Sequence, residues 1–243
     1  MRAVEQKKTT FNSGNINQSG LVHDGQHGIH PRLEEVVKRH LDSHWKQPFH
    51  TPSVESYQRL IDEVSFTSGQ AFILDSGCGT GKSTQQLAKQ YADHLVIGVD
   101  RSQVRLAKSG VEQALLQRGN CVLVRADLPT FWRLLLRDGH MPEKHYLFYP
   151  NPWPKSAHLK RRWHGHPVFP DLLALGGEIE LRCNWEIYAL EFAQAVRIAT
   201  GAPVVVKALQ PQASVSPFEQ KYMDRAQRLF SVTVPRGVST LPR

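Results

Sequence analysis

Cysteine is scarce in this chain: three residues in 243, Cys78, Cys121 and Cys183, with no C-x-x-C pair among them. A small, odd and scattered set argues against a disulfide framework and leaves buried thiols in a reducing compartment as the expectation. Long hydrophobic runs are also missing. No stretch approaches the ~20 apolar residues of a membrane span. The opening MRAVEQKKTTFNSGNINQSG lacks the apolar centre of a secretory signal. No membrane partner is therefore expected, and the chain is read as cytoplasmic. Acidic residues are outnumbered, 22 Asp and Glu against 30 Lys and Arg, for a net charge of +8. That balance favours a polyanionic partner if the positive charge clusters. Hydrophobic residues at 40% and charged residues at 21% are those of an ordinary globular protein.

What is present has an order to it. Residues 1–28 are polar and form an expected flexible arm, whose Arg2, Lys7 and Lys8 could fold onto RNA. Residues 29–68 read as a helical extension. Leu33, Val36, Val37 and Leu41 fall at helical spacing within 31–45, and a second helix is expected over 53–64. From 69 to 243 short apolar runs alternate with amphipathic stretches. AFILD, HLVIGVD, CVLVRAD, KHYLFYP, GGEIELRCN, PVVVKAL and RLFSVTV are expected strands. Helices are expected from about Thr80, over 102–118, over 129–139 and over 185–200. Such alternation predicts an α/β fold with a mostly parallel sheet and helices on both faces.

LDSGCGTGKST, from Leu74 to Thr84, admits two readings. A phosphate-binding loop, G-x-x-x-x-G-K-[ST], needs its first glycine at position 76, which is Ser76; Gly77 comes one place late. The second reading fits better. Asp75 ends a strand and is followed by Gly77, Gly79 and Gly81, a turn that lets backbone approach a ligand at the carboxyl end of a parallel sheet. An acid there suits a ligand bearing an ammonium and a sulfonium, as S-adenosylmethionine (SAM) does, and would repel a triphosphate. Asp100 ends the next strand, close to the ~20-residue offset of a ribose-binding carboxylate. Asp127 ends the third, where an acid can accept from an adenine amine. Any one acid could merely cap the helix after it; three on successive strand ends favour a cofactor site.

After the fourth strand comes YPNPWPKSAHLKRRWHGHPVF, from Tyr149 to Phe169, where the positive charge concentrates. Lys155, Lys160, Arg161 and Arg162 are candidate phosphate ligands, and the interleaved aromatics could stack on bases. Histidines at 23, 27, 30, 40 and 44 include a pair four apart, but no cysteine or acid cluster completes a ligand set, so no metal is expected.

These segments together resemble the bacterial tRNA (guanine-N7)-methyltransferases. NPWPKSAHLKRR, the glycine pair before CNWEIYALEF, and SPFEQKY carry the resemblance, which covers roughly residues 72–234. It implies a Rossmann-like methyltransferase fold with a seven-stranded sheet, SAM as methyl donor and tRNA as substrate. It implies that Asp75, Asp100 and Asp127 bind SAM, that Lys155 contacts tRNA, and that Asn184, Ser216, Phe218 and Glu219 surround the target guanine. Asn151 takes the position of the family's catalytic aspartate. Here the chain departs: Asn151 and Asn184 stand where the family has Asp, Cys183 replaces a threonine, and Ser216-Pro217 replaces the start of T-x-F-E. With two charges lost, two other readings stay open. Asn-Pro-Trp is close to the Asn-Pro-Pro-aromatic loop of enzymes that methylate exocyclic amines. Alternatively the chain binds SAM or tRNA without turnover. The chain is read as a monomer or a homodimer.

Overall fold

Five apolar runs too short for helices become the centre of one sheet: β1 (Phe72–Ser76), β2 (Leu95–Asp100), β4 (Cys121–Arg125), β5 (Lys144–Phe148) and β6 (Glu178–Cys183). Three further strands, β3 (Leu115–Arg118), β7 (Val206–Leu209) and β8 (Leu229–Val234), complete it. In this computed structural model the described residues are 26–64, 66, 69–112 and 114–238. Most of the expected arm at 1–28, with Arg2, Lys7, Lys8 and His23, lies outside them.

The strand order is β3-β4-β2-β1-β5-β6-β8-β7. β1 pairs in parallel with β2 on one side and β5 on the other, and β4 and β6 extend the parallel set outward. All five parallel strands therefore end at one rim. β1 and β2 are buried along their whole length, as strands covered on both faces must be. β3, β7 and β8 pair antiparallel at the two flanks.

One face of the sheet is covered by α1 (Leu33–Leu41), α2 (Thr51–Val64), α5 (Leu128–Arg137), α6 (Phe169–Leu175) and α7 (Glu186–Thr200). The other is covered by α3 (Lys82–Gln90) and the short α4 (Gln103–Ala107). A last helix, α8 (Pro217–Met223), stands between β7 and β8. The helical extension shares the main core: Leu33, Val36, Val37, Tyr57 and Leu60 are buried in the same cluster as Phe131, Trp132 and Phe192.

Three expectations are corrected. The helix expected over 102–118 stops at Ala107, and the sheet has eight strands rather than seven. Gly110, at φ +88°, leaves the helical region, and Leu115 and Leu116 then pair antiparallel with β4. The helix expected over 31–45 ends at Leu41. Ser43 Oγ donates to the carbonyl of Arg39 at 2.7 Å, satisfying a terminal acceptor, and His44 lies past the helix, so helical spacing does not align it with His40. No helix among the described residues is long and apolar enough to cross a membrane.

Gly98, in the middle of β2, sets how closely α3 lies on the sheet. A Cβ there would fall 2.1 Å from Thr84 Oγ1. Gly98→Ala is expected to push α3 outward and lower stability by about 2 kcal/mol in urea unfolding. A variant as stable as the parent would show that the helix rides free of the strand.

Candidate active site

The loop from Asp75 to Gly81 leaves β1 at the carboxyl rim. Gly77, Gly79 and Gly81 adopt φ of +83°, +61° and +76°, conformations that cost a side chain. Its amides decide between the two sequence readings. Gly77 N and Cys78 N both donate to the carbonyl of Val99, at 2.8 and 3.1 Å. Gly79 N donates to Asp100 Oδ2 at 3.0 Å, and Gly81 N to the carbonyl of Cys78 at 3.0 Å. A phosphate cradle needs converging free amides; four of these are already committed. Lys82 is exposed at the start of α3.

Asp75 is fully buried. Its Oδ2 accepts from Ser83 Oγ at 2.6 Å and Thr84 Oγ1 at 2.7 Å, both on the first turn of α3. Its Oδ1 has no partner, and neither does the buried Thr80 Oγ1 in the same loop. Burial pushes the Asp75 carboxyl up to about 6, against the two hydroxyl bonds and with nearby Asp100 adding to the rise. A buried acid with an unused oxygen fits a ligand that brings a cation and hydrogen-bond donors, as the methionyl end of SAM does.

Asp100, also buried, accepts from Gly79 N through one oxygen and from Ser102 N (2.7 Å) and Arg105 Nη2 (3.0 Å) through the other. Asp127 caps α5, its Oδ2 accepting from Thr130 N and Oγ1. Asp127 also lines a cleft of about 930 Å³. Arg101, Ser102 and Ala126 form the strand-end side of this cleft, and His50 and Ser53 of the extension form the other. Ser53 Oγ accepts from Asp127 N at 2.8 Å, which ties α2 to the rim.

The segment after β5 emerges next to the Asp75 loop because β5 pairs directly with β1. Asn151 is exposed, and its Oδ1 accepts from Trp153 N at 3.3 Å. Lys155, Lys160 and Arg161 are exposed, with Arg161 stacked over the Trp153 ring at 4.7 Å. Asn184, after β6, donates through Nδ2 to Gln227 at 3.0 Å. Phe218, 44% exposed, stacks on Tyr222, which leans on Tyr149, so this aromatic row reaches the base of the segment.

Two candidates are placed differently from expectation. Arg162 is no surface phosphate ligand: it is fully buried and paired with Glu191. Glu219 is fully buried too. Its Oε1 accepts from Tyr149 Oη at 2.6 Å and Arg182 Nη1 at 3.1 Å, and its Oε2 from Val215 N at 2.7 Å. Ser216 Oγ accepts from Glu219 N at 3.1 Å and caps α8. The spacing S-x-x-E was the available signal for a helix cap, and no local pattern announced Arg182 or Tyr149 as its partners. His145 is likewise structural: buried, pushed down to about 3 by burial, with Nε2 paired to Ser76 Oγ. The three cysteines are free and buried. Among the described residues no cluster of His, Cys, Asp or Glu is placed to hold a metal ion.

A family model described as putative methyltransferase matches residues 69–231. A tRNA (guanine-N(7)-)-methyltransferase of Photobacterium profundum is 25% identical over 206 residues, 78% of this chain and 80% of that protein. One from Neisseria meningitidis serogroup A is 29% identical over 69% of this chain and 71% of its own length. One from Halorhodospira halophila is 30% identical over 65% and 68%. Among solved structures, the 16S rRNA methyltransferase KamB superposes with a TM-score of 0.50 at 15% identity, over 78% of this chain and 95% of that one, a likeness of fold.

Asp75→Asn keeps an acceptor for Ser83 and Thr84 and removes the buried charge. In the folded parent the carboxyl takes up a proton as pH falls through about 6, whereas in the unfolded chain it does so near its ordinary 3.8. Parent stability therefore gains on the variant as pH falls across that window. The variant is expected to be more stable by about 2 kcal/mol at pH 8, with the gap closing by pH 4. Urea unfolding at both pH values reads this, and a gap that widens in acid would contradict the assignment.

Proposed function

The chain belongs to the bacterial tRNA (guanine-N7)-methyltransferase family, and on that premise we propose that it transfers a methyl group from SAM to N7 of a guanine in tRNA. The observation that carries this reading is the buried, half-unpartnered carboxylate of Asp75 at the same rim as the exposed Asn151 and the cationic Lys155, Lys160 and Arg161. In this reading Asp75 and Asp100 hold the methionyl and ribose parts, with the adenine in the cleft beside Asp127. Lys155, Lys160 and Arg161 neutralise tRNA phosphates. Phe218 supplies a face on which a base can stack.

SAM supplies an electrophilic methyl group. Guanine N7 has a free lone pair, so this chain's residues need not remove a proton before the transfer. The N7 pair forms the new bond to carbon while the carbon–sulfur pair leaves with sulfur, and the purine becomes cationic. Holding the two centres in line is the main task left to the protein. A carboxylate at position 151 would also stabilise the developing positive charge; the amide of Asn151 does so less well.

The amide does favour one substrate over another. Asn151 Oδ1 accepts from Trp153 N at 3.3 Å, and its Nδ2 is the donor the amide offers a base. A donor suits guanine O6, next to N7 on the same edge of the base. An exocyclic amine needs an acceptor instead, and Oδ1 already shares one of its two lone pairs with Trp153 N, so the guanine edge is the better match.

Labelled SAM with tRNA lacking 7-methylguanosine, followed by nucleoside analysis, is expected to yield labelled 7-methylguanosine. Label on another nucleoside would move the target atom, and SAM binding with no label on any RNA would support a binding protein. Asn151→Asp retains the acceptor for Trp153 and restores a charge. It is expected to raise kcat several-fold, and an unchanged or lower kcat would refute the idea that lost charge slows this enzyme.

A further inference from the structure

Three prolines interrupt the segment after β5: Pro150, Pro152 and Pro154. Each removes an amide donor and pushes the residue before it toward extended backbone. Yet two of those preceding residues, Tyr149 and Trp153, adopt positive φ, +51° and +46°. A side-chain-bearing residue in that region costs about 1–3 kcal/mol and persists only where its surroundings over-determine it. The two strained residues bracket Asn151.

Both are held from the core. Tyr149 is tied by its hydroxyl to Glu219, and its amide donates to the carbonyl of Arg182 at 2.7 Å. Trp153 is held by Arg162. Nε and Nη2 of that guanidinium both donate to the carbonyl of Trp153, at 3.2 and 3.1 Å, and Nη2 also reaches the carbonyl of Lys155 at 3.4 Å. Its Nη1 donates to Glu191 Oε2, and Nη2 to Gln26 Oε1 at 3.0 Å. Glu191 is saturated in turn. Its Oε2 also accepts from His164 Nε2 at 2.9 Å, and its Oε1 from Gln26 Nε2 at 2.6 Å and His30 N at 2.9 Å. Arg162, His164 and Glu191 are all fully buried.

A buried ion pair is poor value as stability, since desolvation cancels much of its attraction. This one has another use. The Trp153 carbonyl sits between prolines that offer it no donor, and a planar fork at fixed distance answers it. We propose that the Arg162–Glu191 pair is a positioning clamp, completed by Gln26, that fixes the backbone of 151–155 and so aims Asn151 and Lys155 at the transferring centre. The part of the inference that concerns transfer rests on the methyltransferase reading above; the part that concerns loop geometry stands without it. Sequence reasoning placed Arg162 in the phosphate-binding set, and burial reassigns it to holding the loop that carries the set.

Arg162→Lys keeps a cation for Glu191 and loses the fork. With the full chain, hydrogen exchange is expected to quicken in peptides covering 149–162 and to stay unchanged in the 75–84 loop. SAM affinity and SAM KM are expected to stay within about twofold, while kcat at saturating tRNA falls about tenfold to a hundredfold. Gln26→Ala removes only the outer bonds. It is expected to fold, to melt a few degrees below the parent and to show smaller changes of the same kind, and it decides the matter should Arg162→Lys fail to fold. Unchanged exchange in both variants, or quickened exchange with full kcat, would overturn the clamp. Should the parent itself transfer no methyl to tRNA, the functional reading falls, and exchange over 149–162 still accepts or rejects the clamp.

Discussion

A carboxylate with no exposed surface has to be held by something, and at Asp75 the holding organises the molecule. Ser83 and Thr84 reach it only because α3 lies directly on β2, which the bare backbone at Gly98 permits. The same approach brings the glycine turn against Val99 and Asp100, committing its amides. Helix, turn and two strand ends are thus one unit built around a single buried charge. That charge is expensive, and its second oxygen is left over. A protein selected for stability alone would have an amide or an apolar residue there.

The parallel sheet turns this unit into a site. Since β1 lies between β2 and β5, the segments that leave those two strands at the rim flank the turn. Asp100 and Asp127 leave on one side, and Asn151, Lys155 and Asn184 on the other. The acidic side and the cationic side are neighbours because of strand order, not because of any contact between their side chains.

Much of this was legible from residues alone. Short apolar runs between amphipathic stretches announce the sheet, and acids at successive strand ends announce the rim. The misreadings share a cause. The stretch 102–118 has helical composition, but one glycine and a free sheet edge turned its end into β3. Arg162 is indistinguishable in sequence from Arg161. Only the fold reveals that one points to solvent and the other into a core containing Glu191, on a helix 29 residues away. Glu219 and Arg182 are likewise paired by topology across 37 residues. Local pattern reads propensity and periodicity, and it does not read which long-range partner will neutralise a charge.

On the proposed function, the strained, doubly anchored segment between Tyr149 and Lys155 also has a consequence for the RNA that would dock there. With its backbone pinned at both ends, the protein has little freedom to adapt to a base buried within a stacked helix. The accommodation falls to the RNA, which must unstack and swing the nucleotide outward at its own energetic cost. Discrimination among sites on the RNA then becomes a matter of compliance. A guanine in a loosely stacked loop is reached cheaply, one in a firm duplex is not, and a stiff protein distinguishes them without reading a single neighbouring base.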